Sequence, residues 1–115
     1  MKLLPLRAAC LAAAVAASAP AAAITVEVVW TAPRCDYLLV RDSEGHGIVY
    51  RSSPIEIAVG DRLEGGLDQV NTFRRVVKVS TGEATMMRTM KYGIRRKQAV
   101  ETIQDWSAYC DPPLD

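Results

Sequence analysis

The 115-residue chain is half hydrophobic by residue count and carries 14 Lys and Arg against 13 Asp and Glu, with three cysteines and one histidine. At this length a single domain is expected, and no repeat or low-complexity stretch interrupts residues 24–115. So small a domain leaves little room for a deep substrate cleft.

The chain begins with the three parts of an export signal: Lys2 and Arg7, an apolar run from Ala8 to Ala17, and small residues up to Ala23. Ala21 and Ala23 fit the two positions that must be small, so residues 1–23 are expected to be removed after Ala23. The apolar run is shorter than the ~20 residues a membrane span needs, and no other stretch approaches that length. Residues 24–115 are therefore expected to be soluble and periplasmic or secreted. Cys10 leaves with the signal; Arg7 stands where a lipid-attachment motif would want an aliphatic residue.

Cys35 and Cys110 then remain, in a compartment that oxidises thiols, and one disulfide between them is expected. Closing a loop of this length stabilises the fold by about 4 kcal/mol through the entropy removed from the unfolded chain. There is no Cys-x-x-Cys spacing to suggest a redox pair.

Ile24, Val26, Val28 and Trp30 alternate with Thr25 and Glu27, the period of a strand with one buried face. Cys35 to Arg41 forms a second strand, apolar on both faces and so central. Asp42 to Gly47 is a polar, glycine-rich connection to a strand over Ile48 to Arg51, which predicts a hairpin. A short strand is expected over Ile55 to Val59. From Arg62 to Val79 the pattern predicts one bent strand or two, with Gly65-Gly66 at a sharp bend or close backbone approach and a bulge near Arg74 and Arg75. Ser80 to Glu83 makes the next turn, and Ala84 to Lys91 the last strand.

From Ile94 the period lengthens. Ala99, Ile103, Trp106 and Cys110 recur at offsets of four, three and four, one face of a helix over about 95–110, stopped by Asp111-Pro112-Pro113. These elements predict an α+β domain: a small curved antiparallel sheet, or an OB-like or SH3-like barrel of about six strands, closed by a C-terminal helix and one disulfide. In organisation it resembles the small disulfide-bonded proteins that bacteria export to the periplasm, a likeness of architecture that implies no site.

Charge is segregated. Without Lys2 and Arg7 the net is −1, yet residues 74–97 hold eight basic side chains against Glu83 alone. Arg95, Arg96 and Lys97 fall in the first helical turn, with Lys91 just before them, where cations oppose the helix dipole. Unpaired N–H groups at a helix start favour anions, and Arg74, Arg75 and Lys78 could extend one basic face. These seven residues are the candidate contacts to an anionic envelope ligand or an acidic envelope protein.

Nucleic acid is not expected, because Trp30, Phe73 and Trp106 are assigned to the core, leaving only Tyr37, Tyr50, Tyr92 and Tyr109 as stacking platforms. Met86, Met87 and Met90 could suggest copper, but on a strand Met87 opposes the other two, and core filling accounts for them. His46 stands alone in its loop. No metal, cofactor or catalytic residue is expected, and no nucleophile motif is present. The leading expectation is a non-enzymatic binding or interaction domain. The alternatives are an inhibitor or assembly factor acting through Asp42 to Gly47 or Ser80 to Glu83, and a small hydrolase or metal carrier. Oligomeric state is left open.

Overall fold

The computed structural model describes residues 23–114; the expected signal, Ala23 apart, and Cys10 lie outside the described residues. Six strands close into an antiparallel barrel: β1 (Ile24–Trp30), β2 (Tyr37–Asp42), β3 (Gly45–Arg51), β4 (Arg62–Gly65), β5 (Phe73–Lys78) and β6 (Ala84–Ile94). Their order around the barrel is β1-β2-β3-β6-β5-β4, with β4 pairing back to β1. Two three-strand meanders, β1 to β3 and β4 to β6, thus meet along two seams, β3–β6 and β1–β4. One helix, α1 (Arg96–Trp106), follows β6 and packs on the outside of β2, β3 and β6, across the first seam. No described helix is long and apolar enough to cross a membrane.

Alternation sorts side chains into two cores. Val26, Val28, Leu38, Val40, Val49, Leu63, Val76 and Met87 point into the barrel, which Ile55, Ile57 and Leu67 help to fill. Leu39 and Ile48 point outward instead and are covered by Ala99, Val100 and Ile103 of α1. Both faces of β2 are therefore buried, as its sequence requires. Cys35 and Cys110 lie in this second core and are disulfide-bonded. Cys110 stands four residues past the end of α1, so the helix is shorter than its period suggests, and a turn carries the cysteine to Cys35.

Several local expectations are corrected. Ile55 to Val59 forms no strand; it is an irregular segment whose Ile55 and Ile57 plug the barrel while Val59 is exposed. The pairing of β5 with β6 is regular from Phe73 to Val77, without the bulge expected near Arg74 and Arg75. Irregularities fall instead in β1, between Val28 and Trp30, and in the β3–β6 pairing beside Ile48. An extra residue in a strand turns the side chains beyond it to the other face. Hence Trp30 packs against α1 and not inside the barrel with Val28. Gly65 meets the expected close approach: a Cβ there would lie 2.7 Å from the Arg75 carbonyl oxygen. In the β2–β3 turn, Gly45 adopts φ 133°, a conformation open to glycine alone among ordinary residues.

Candidate functional site

The outer face of the β2-β3-β6-β5 sheet is only half covered. Beyond the rows under α1, the register aligns Tyr37 with Tyr50, Tyr50 with Arg88, and Arg88 with Phe73. Paired residues on neighbouring strands project from the same face, so these four side chains form one rung across four strands. Trp106, the last residue of α1, extends it: its ring lies 5.2 Å from Tyr37 between centroids. Tyr37 lies 5.9 Å from Tyr50, and Tyr50 lies 6.4 Å from Phe73. The rings are tilted by 50–73°, and the Arg88 guanidinium sits 5.9 Å above Phe73. Such pairs each add about 0.5–1.5 kcal/mol beyond simple burial.

The two ends of the band nevertheless face solvent, while Tyr37, Tyr50 and Arg88 between them are half-buried. Trp106 is 40% and Phe73 44% exposed, and Met86 beside them is 46% exposed, which corrects the assignment of Phe73 and Trp106 to the core. Phe73 shares the outward parity of Arg75, and Trp106 sits where the helix ends at the rim of the covered area. One rung nearer the barrel mouth, Pro33, Asp36, Arg51, Ser52, Ser53, Pro54, Ile55 and Glu56 line an open cleft of about 560 Å³. The Arg51 backbone N–H donates to the Asp36 carbonyl, joining cleft and band. The Ser52 hydroxyl donates to the Met86 carbonyl at 3.4 Å.

On the band's own face Arg75 and Arg88 have no carboxylate partner among the described residues; Arg51 and Arg74 pair with inward-facing Met87 and so take the other face, and Arg34 lies over the Tyr109 ring at 5.3 Å. The Nε of Arg88 is buried without a hydrogen-bond partner. Met87 points inside the barrel, Met86 is exposed and Met90 packs beneath α1, so the three sulfurs do not converge.

The seven basic candidates do not form one face. Arg74 and Arg75 pair with Met87 and Met86 at the start of β6, whereas Arg95 to Lys97 follow its far end. Seven or eight residues of strand separate the groups by about 25 Å. Lys78 is engaged with Asp61 at 3.5 Å and with the Glu56 carbonyl at 3.0 Å. Arg96 donates to the carbonyls of Leu114 and Pro113, holding the C-terminal segment against the helix start. Lys97 pairs loosely with Glu101, and Arg95 and Lys91 are exposed without ion pairs among the described residues. Arg88 is the residue the sequence reading missed; its signal was parity, because it alternates with inward-facing Met87 and Thr89.

Two titrating groups stand apart from the band. Burial lowers the His46 pKa from its usual value, helped by the positive charges of Arg96 and Arg41. Burial also raises the Tyr92 pKa, as do its hydrogen bond to Asp42 and the charges of Asp42, Glu44 and Asp68. Tyr92 thus secures the β2–β3 turn to β6 and is not a free platform. Among the described residues no three His, Cys, Asp or Glu side chains stand together as a metal set. Comparison with protein families, curated proteins and solved structures finds no match.

Proposed function

We propose that this chain is a non-enzymatic, exported binding domain that recognises an anionic envelope ligand or an acidic partner through the Trp106-Tyr37-Tyr50-Phe73 band and its arginines. The observation that carries the reading is the single outward rung of Tyr37, Tyr50, Arg88 and Phe73, which α1 covers only in part, at Tyr37, leaving Phe73 44% exposed. Aromatic rings with an apolar body and a polar tip suit a surface that is wet when free and buried when bound. Arginines with unfilled forks beside them favour carboxylate, sulfate or phosphate groups.

Within this reading Arg75 and Arg88 replace the helix start as the principal contacts. Arg95 and Lys97 are solvated charges, while Lys78 and Arg96 hold the fold together.

The test is retention of an envelope-extract component on the immobilised, disulfide-bonded protein. Retention should weaken steeply between about 50 and about 500 mM NaCl. It should be lost in Arg75→Gln/Arg88→Gln and kept in Arg95→Gln/Lys97→Gln. Retention indifferent to both salt and the first pair would overturn the proposal.

A further inference from the structure

The cleft beside the band differs from it in chemistry, and the difference narrows the ligand. Its walls offer two carboxylates, Asp36 and Glu56, neither in an ion pair among the described residues, with the Arg51 guanidinium, the Ser52 and Ser53 hydroxyls and the flat sides of Pro33 and Pro54. A volume near 560 Å³ lies within the usual range for small-molecule sites. We infer that cleft and band together form a binding groove for a carboxylated sugar chain; the inference rests on the function proposed above and specifies its ligand.

Each part answers one feature of such a chain. Sugar rings present an apolar C–H face that stacks on Tyr50, Tyr37 and the exposed ring of Phe73. Ring hydroxyls are both donors and acceptors; Asp36 and Glu56 accept from them, and Arg51 donates to them. The ligand's own carboxylates meet Arg75 and Arg88, whose fork geometry suits them.

The competing anions fit less well. An extended peptide gains much of its affinity by pairing with a free strand edge, and β1-to-β4 closure leaves this barrel none. A nucleic acid offers at most one free sugar hydroxyl per nucleotide for Asp36 and Glu56 to accept from, where each sugar of a uronate chain offers two.

The experiment is calorimetric titration of the disulfide-bonded protein with three probes: an oligoalginate of six uronates, maltohexaose, and a poly-glutamate of matched charge. Oligoalginate should bind saturably and more tightly than the other two. Asp36→Asn/Glu56→Gln should weaken it at least tenfold, although that change removes negative charge, because acceptors for hydroxyls are lost. The same variant should strengthen any poly-glutamate binding by relieving repulsion. Amide chemical shifts in the wild-type protein should move at 36–37, 50–56, 73–75 and 86–88 and not around Arg95, a readout that needs no variant.

Poly-glutamate binding as tight as oligoalginate would end the sugar inference and keep the anionic-partner reading. So would failure of every probe alongside salt-sensitive, Arg88-dependent retention from envelope extract. Failure of both probe and extract binding would remove the inference and the proposed function together.

Discussion

Replacing Cys35 and Cys110 together by Ala removes the one covalent link between α1's exit and the entry to β2. The two positions are 75 residues apart in sequence, so the unfolded chain regains the freedom of a large loop. Loop-closure entropy puts the loss at about 4 kcal/mol. Both cysteines are almost wholly buried among Leu39, Ile48, Ala99 and Ile103, and the two lost sulfurs add the smaller penalty of an imperfectly filled core. Against a total stability of 5–15 kcal/mol for a domain of this kind, the variant should be marginal. In urea, with a slope of about 1.5 kcal/mol/M, the unfolding midpoint should fall by nearly 3 M. The assay is equilibrium unfolding followed by far-ultraviolet circular dichroism and by tryptophan emission, on the wild type with and without reductant and on the double variant. A shift under about 0.7 M in the variant, or coincident curves for oxidised and reduced wild type, would refute the reasoning. Side-chain packing alone would then be holding α1 in place.

Gly65→Ala should cost about 2 kcal/mol, because its methyl group would meet backbone oxygen and not a movable side chain; the melting temperature should drop by roughly 10 °C. His46 contributes stability that is complete above the ordinary histidine pKa and is lost as pH falls through its lowered folded value. The wild-type unfolding midpoint should therefore fall relative to His46→Asn between pH 7.5 and 5, and parallel curves would contradict this. Tyr92 has the opposite sign: its raised pKa stabilises fully below pH 10 and less as pH rises above it. Tyr92→Phe should lose about 1 kcal/mol at neutral pH, with the gap to wild type closing in alkali. Arg96→Gln should free the segment around Pro113 and Leu114, seen as faster cleavage there by a carboxypeptidase, with α1 intact by circular dichroism.

Much of the architecture was written in side-chain period. The alternation in β1, the doubly apolar β2, the helix face through Ala99 and Ile103 and the cysteine pair each answer to a short stretch of chain. Gly65 was legible for a similar reason, since only a missing side chain permits that approach to Arg75. The strand order depends on pairings between distant segments that no local pattern encodes, and the bulges in β1 and β6 move side chains between faces without a mark in composition. Ile55 and Ile57 mimic a strand because a plug needs the same alternate apolar residues as a half-buried strand.

The site was less legible than the fold. Basic residues drew the reading toward Arg95 to Lys97 because they are adjacent in sequence, whereas Tyr37, Tyr50, Phe73, Arg88 and Trp106 become neighbours only through register. Large aromatic side chains are usually buried, which points Phe73 and Trp106 to the core; Phe73 is exposed because it shares the outward parity of Arg75, and Trp106 because the helix ends there.

The two seams of the barrel are unequally secured, and this sets where the molecule breathes. At β3–β6 the helix lies over the junction and Ile48 and Met90 are held beneath it, so parting those strands requires lifting the helix as well. At β1–β4 four residue pairs, the two backbone hydrogen bonds of Val28 with Gly60 and Asp61, and the interior side chains join the two meanders, with α1 lying elsewhere. Amide protons of Ile24 to Glu27 and Arg62 to Gly65 should accordingly exchange with solvent sooner than those of Ile48 to Tyr50. The aromatic rung crosses the tighter junction, between Tyr50 and Arg88, so the barrel can open on its opposite side while that surface keeps its shape.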